Sequence, residues 1–151
     1  MSLLRHSTKH DLLKKVPLFS KLSKSNLEDI AKSSDELSPA AGTVLAREGE
    51  TGREFVFVLD GEARVESGGV VINRLGPGSF FGEIALLDGK PRTATVIADT
   101  DMALLVVQAQ YFTQMLEKTP KLQMEIISAL CRYFRAAQQR KREGAPGPVN
   151  V

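Results

Sequence analysis

From Gly42 onward the sequence is cut into short β-branched or aromatic runs by glycine: GTVLAREGE, GREFVFVLDGEARVES, GGVVINRLGPGSFFGE and RTATVIADTDMALLVV. Glycines 42, 49, 52, 61, 68, 69, 76, 78, 82 and 89 fall at turn-like intervals. Strand-forming runs bounded by such turns read as short antiparallel strands. About six to eight of them between residues 42 and 107 predict a barrel or jelly roll. Asp60-Gly61, between FVFVL and EARVE, reads as a hairpin turn of type I′, because that turn needs positive φ and Asp-Gly tolerates it.

Helical texture flanks this region. Over residues 9–34, Leu22, Leu27, Ile30 and Ala31 recur at mixed three- and four-residue spacings, as a helix face requires. Ser23 or Ser25 can serve as N-cap, and Ser25 with Glu28 has capping-box spacing. Pro39 ends the segment. After Gln108, YFTQMLEK makes a short helix that stops near Thr119-Pro120. KLQMEIISALCRYFRAAQQRKR then makes a long one, with Leu122, Ile126, Leu130, Phe134 and Ala137 as its apolar stripe. The expected division is an N-terminal helical segment (1–41), a β-barrel (42–107), C-terminal helices (108–143) and a flexible tail (144–151), all in one domain.

Much familiar chemistry is excluded. A chain of 151 residues suits one ordinary core, and a net charge of +2 is too small to imply nucleic acid. Nothing approaches 18 consecutive apolar residues, so no membrane span is expected. MSLLRHSTKHDLLKK lacks the apolar centre and cleavage site of a secretory signal. Cys131 is the single cysteine, which points to a reducing, cytoplasmic setting. Its place in a helical apolar pattern predicts a small buried core residue. His6 and His10 are the only histidines. Without a cysteine beside them they read as a solvated pair, so no metal site is expected. A body without histidine has no Ser-His-Asp or Cys-His arrangement. GPGSFFG spaces its glycines wrongly for a dinucleotide fingerprint, and DGKP has Pro91 where a P-loop needs Ser or Thr. No enzyme is expected.

One segment of the β region, FFGEIALLDGKPRTATV, sets Glu83 between Gly82 and Ile84 and Arg92 between Pro91 and Thr93. A guanidinium matches two oxygens of a phosphate with its fork of donors. Backbone N–H groups at the start of a short helical turn add further donors. Gly82 lets the chain approach a ligand closely, and Ala85 and Ala94 leave room. A carboxylate repels phosphate, so Glu83 suits a sugar hydroxyl. Together the two charges describe a ribose and its phosphate. On composition and spacing alone, a plain salt bridge across a turn is the competing reading.

FGEIALLDGKPRTATV resembles the phosphate-binding cassette of cyclic nucleotide-binding domains. LFSKLSKSNLEDIA, GTVLAREGETGREFVFVLDGEARV and LGPGSFFGE resemble the same family in the same order, so the likeness covers about residues 16–135. It implies an eight-stranded jelly roll flanked by helices, with cAMP or cGMP as ligand and no further cofactor. By that resemblance Arg92 holds the cyclic phosphate and Glu83 takes the ribose 2′-hydroxyl. Gly82, Ile84 and Ala85 line the cassette, and Thr93 and Ala94 complete its wall. A hydroxyl at Thr93 is compatible with either nucleotide, and nothing else reads guanine, which favours cAMP. The resemblance also makes the segment Leu122–Arg142 a lid, with Arg132 or Tyr133 as candidates to stack on the purine.

A helix-turn-helix output module has no room after the last helix, so the expected partners are the cyclic nucleotide plus another protein or a second copy of the chain. The basic run RAAQQRKR reads as a solvated helix end. Two competing readings are a barrel that has lost its ligand and serves protein interaction, and a cGMP-selective sensor. A cupin-like metalloenzyme lacks the necessary strand histidines.

Overall fold

The computed structural model describes residues 9–14, 16, 19–82 and 88–142. The first described elements are helix α1 (Lys9–Lys14) and helix α2 (Lys24–Ser33). Between them the backbone turns through three-residue bonds, Val16 N–H to the Leu13 carbonyl, Phe19 to Val16 and Leu22 to Phe19. That spacing eclipses side chains three apart, and Leu13, Val16, Phe19 and Leu22 are all buried. The helical segment expected over 9–34 is two helices, the second starting at the expected serine cap. Ser23 caps α2 by accepting a hydrogen bond from Asn26 N–H at 3.1 Å, which decides between the two candidate serines.

Among the described residues eight strands follow: β1 (Ser34–Leu37), β2 (Val44–Ala46), β3 (Glu54–Asp60), β4 (Ala63–Ser67), β5 (Val70–Leu75), β6 (Phe80–Phe81), β7 (Thr95–Ala98) and β8 (Ala103–Gln108). They form two four-stranded antiparallel sheets, in the orders β1-β8-β3-β6 and β2-β7-β4-β5. First pairs with last, second with seventh, third with sixth and fourth with fifth, which is the doubly folded ribbon of a jelly roll. Strand β1 starts upstream of the expected boundary at Gly42. Its sequence SDEL has a single buried residue, Ser34, so no alternation announces it. Pairing with β8 makes it a strand.

Alternation along the central strands builds two cores. Phe55 and Phe57 of β3, with Leu105 and Val107 of β8, pack with Leu27, Ile30, Phe112, Leu122 and Ile126 of the helices. The intervening Val56, Val58, Leu104 and Val106 pack with Val65, Ala94 and Val96 between the sheets. The first sheet is thus buried on both faces, which explains the near-continuous apolar runs FVFVL and ALLVV. Phe55 stacks on Phe112 at 4.2 Å and tilts against Phe57 at 4.5 Å, centroid to centroid.

Asp60-Gly61 is not a hairpin. β3 pairs with β6 and β8, whereas β4 pairs with β5 and β7, so the turn carries the chain from one sheet to the other. Among the described residues no non-glycine has positive φ, so Asp60 cannot occupy a type I′ turn. Of the two residues, Gly61 has positive φ, at +88°, and Asp60 does not. The two-residue hairpin belongs instead to Gly68 and Gly69, at φ +60° and +80°, between the paired Ser67 and Val70.

Two helices close the fold, α3 (Ala109–Lys118) and α4 (Pro120–Arg142). Thr119 alone separates them, and Pro120 opens α4 where its missing N–H costs nothing. Leu122 and Ile126 are buried as expected, whereas Phe134 is 64% exposed. Cys131 is exposed too, correcting the core expectation. The buried face of α4 runs through Leu122, Ile126 and Ala129, and position 131 lies off that face.

Candidate functional site

The site grows from the end of β6. Val56 pairs with Phe81 and Phe57 with Phe80, which turns Phe81 into the core between the sheets. Gly82 follows, buried, at φ +103°. A Cβ there would lie 2.3 Å from the Glu54 carbonyl oxygen. Both the dihedral and the close approach demand glycine.

Arg92 comes to the same place from the other side. Its N–H donates to the Glu50 carbonyl and its carbonyl accepts from Gly49 N–H, both at 2.8 Å. Pro91 bridges to Thr51. These backbone bonds fix the residue before β7 begins. The Arg92 side chain is only 7% exposed. Its Nη2 donates to the Glu54 carbonyl at 3.3 Å, and its Cζ lies 6.0 Å from the Phe81 ring centroid, the outer range of a cation–π contact. A guanidinium this sheltered is costly unless its donors are met. One carbonyl, that of Glu54, therefore meets both Gly82 and Arg92.

Ala94 is fully buried in the core between the sheets, while Thr93 is exposed. Glu83, Ile84 and Ala85 lie outside the described residues, as do His6 and the tail 144–151; the side chains of His10 and Tyr133 do as well. Arg132 is exposed on α4. Sequence reasoning passed over Glu54, because its part is played by the backbone carbonyl and no side-chain pattern marks it. The loop residues Gly49 and Glu50 escaped for the same reason. Among the described residues no three His, Cys, Asp or Glu side chains gather in a way that could hold a metal ion, and no helix is long and apolar enough to cross a membrane.

The outer face of the second sheet carries a separate charge cluster. Asp99 accepts from Arg64 and, at 2.9 Å, from Arg74, and Arg64 also meets Glu66 at 3.1 Å. The hydrogen bond to Asp99, and then that to Glu66, raises the Arg64 guanidinium above its ordinary value. Arg64 stays charged at any working pH. These exposed and half-buried groups are satisfied by one another.

The chain is thus a two-sheet jelly roll with helices packed on one sheet and a buried arginine near a positive-φ glycine. The family described as the cyclic nucleotide-binding domain matches residues 37–119, more than half of the chain, and the chain belongs to that family. A cyclic nucleotide-gated potassium channel of Mesorhizobium japonicum is 39% identical over 111 residues, 74% of this chain and 31% of the channel. The cAMP-dependent protein kinase regulatory subunit of Schizosaccharomyces pombe is 36% identical over 106 residues, 70% of this chain and 26% of that subunit. The chain therefore spans less than a third of either relative. Among solved structures, PKAR CBD2 bound to Sp-2Cl-cAMPS superposes with a TM-score of 0.72 at 26% identity, covering 90% of this chain and 89% of that one.

Proposed function

We propose that this domain is a non-enzymatic sensor of a cyclic nucleotide, cAMP in preference to cGMP. Arg92 holds the cyclic phosphate and Glu83 accepts the ribose 2′-hydroxyl. Gly82, Ile84 and Ala85 line the cassette, with Thr93 and Ala94 on its wall. The observation that carries this reading is the guanidinium sheltered where β3, β6 and the approach to β7 converge. Its backbone is pinned on both sides, and the adjoining Gly82 leaves no side chain in the way. In so dry a place a charge pair with phosphate is far stronger than in water. Membership of the family and the cAMP named in the kinase-subunit relative support the choice of ligand. Signalling then requires an element that makes different contacts in the bound and free states, and by the family resemblance α4 is the candidate.

Titration calorimetry with cAMP and cGMP, on the wild type, Arg92→Ala and Glu83→Gln, tests the assignment. Removing the buried partner of the phosphate is expected to cost about 2–5 kcal/mol of binding free energy. Glu83→Gln is expected to weaken binding by a smaller margin, and cAMP to bind more tightly than cGMP. Undiminished affinity in Arg92→Ala refutes the phosphate assignment, and equal or reversed affinities refute the preference for adenine.

A further inference from the structure

Helix α4 carries two apolar stripes. Leu122, Ile126 and Ala129 are buried against the domain, with Leu130 packed at their edge. Met124, Ile127 and Phe134 are instead 61%, 51% and 64% exposed, and exposed Cys131 stands among them. At about 100° per residue these four occupy one arc of about 80°, along about 15 Å of helix. One stripe suffices to dock a helix on its own domain, and a second one exposed to water marks an interaction surface.

Charge selects what covers that surface. On the same helical wheel Arg135 and Arg142 border the exposed stripe on one side and Lys141 on the other, with Lys121 and Arg132 farther round. All five are exposed. The one acid of Pro120–Arg142 is Glu125, which is half-buried and lies 3.9 Å from Lys21. The outward face of α4 is therefore apolar along its centre and positive along its borders.

We infer that α4 lies along a bilayer surface bearing anionic headgroups, with Met124, Ile127, Cys131 and Phe134 entering the boundary between headgroups and acyl chains. A basic amphipathic helix reads in this way. A plane suits it better than a protein groove. The opposite side of α4 is already packed on the domain through Leu122, Ile126 and Ala129, so a partner approaches from one side only. The lysine and arginine stems lie beside the apolar stripe while their charged ends reach the headgroups, and each adds attraction to an anionic surface. The run RAAQQRKR, expected to be a solvated helix end, is thereby part of the docking face. The helix lies on the bilayer without crossing it, since among the described residues no helix is long and apolar enough to span. With so few apolar side chains inserted, binding is reversible.

Co-sedimentation of the 151-residue chain with lipid vesicles, without nucleotide, tests this. Binding to phosphatidylcholine mixed with phosphatidylserine should exceed binding to phosphatidylcholine alone at least ~10-fold, and fall as salt screens the charges. Phe134→Gln should weaken it at least ~10-fold, or about 1.4 kcal/mol. Arg132→Gln combined with Arg135→Gln should do the same. Because these three side chains are exposed, the thermal melts without vesicles should match wild type. The chain has no tryptophan, so Phe134→Trp supplies a single reporter. Its emission should shift to the blue on the mixed vesicles and be quenched by brominated acyl chains. No binding to the mixed vesicles overturns the inference, whether the face then proves to be taken by a second copy or by an acidic protein. So does equal binding of Phe134→Gln, or a tryptophan emission that does not move, either of which would mean adsorption by charge through some other face. No nucleotide is present, so the outcome is independent of the ligand assignment.

Discussion

Arg92 and Gly82 bear the weight of the candidate site at the residue scale, and both were legible because their identity carries the chemistry. A guanidinium guarded by Pro91 and Thr93, and a glycine directly before a carboxylate, are unusual inside an apolar segment. Burial of Arg92 and its approach to the Glu54 carbonyl add what the sequence could not show, because the partner is a backbone oxygen. The position of Gly82 yields a sharp expectation. Gly82→Ala places a Cβ 2.3 Å from that oxygen at φ +103°, so the strand end must shift. Urea unfolding should show a loss of at least ~2 kcal/mol, and calorimetry should show weakened nucleotide binding in the same variant. Unchanged stability would mean that the Gly82 backbone does not have this conformation in solution.

Local pattern served some elements well and others badly. The break between α3 and α4 was legible in Thr119-Pro120, because proline at the first helical position both ends one helix and begins the next. Strand β1 was not, since a polar edge strand owes its existence to β8 rather than to its own residues. Asp60-Gly61 misled for a related reason. A turn signal tells that the chain reverses, and says nothing of which strands then pair. The two glycine turns should respond differently to substitution. A Cβ at Gly61 would stand 2.5 Å from the Asp101 carbonyl oxygen, whereas one at Gly68 meets nothing within 4 Å. Gly61→Ala should therefore cost ~2–3 kcal/mol. Gly68→Asn, an accepted residue in a type I′ hairpin, should stay within about 0.5 kcal/mol of wild type. Denaturant melts of the two variants check the contrast, and equal losses would contradict the assignment of the hairpin to Gly68-Gly69.

Taken as a whole molecule, the architecture followed from glycine spacing and apolar runs, while the layering did not. The sequence announces a β-rich body between helices. Only the alternation of Phe55, Val56, Phe57 and Val58 between two cores shows that one sheet lies between the helices and the other sheet. That arrangement ties α3 and α4 to the strands flanking the candidate site, so ligand binding should stabilise the domain as a unit. At 100 times its dissociation constant, cAMP should add about 2.7 kcal/mol, a rise in Tm of roughly 5–10 °C for a domain of this size. A thermal-shift series with cAMP, cGMP and 5′-AMP reads this out. The absence of a shift with every nucleotide would favour a barrel that serves protein interaction alone.

The most direct measurement is a crystal structure of the domain with cAMP bound. The guanidinium of Arg92 is expected within about 3 Å of two phosphate oxygens, with the Glu83 carboxylate on the 2′-hydroxyl. A nucleotide seated elsewhere, with Arg92 still turned to the Glu54 carbonyl, would contradict the reading.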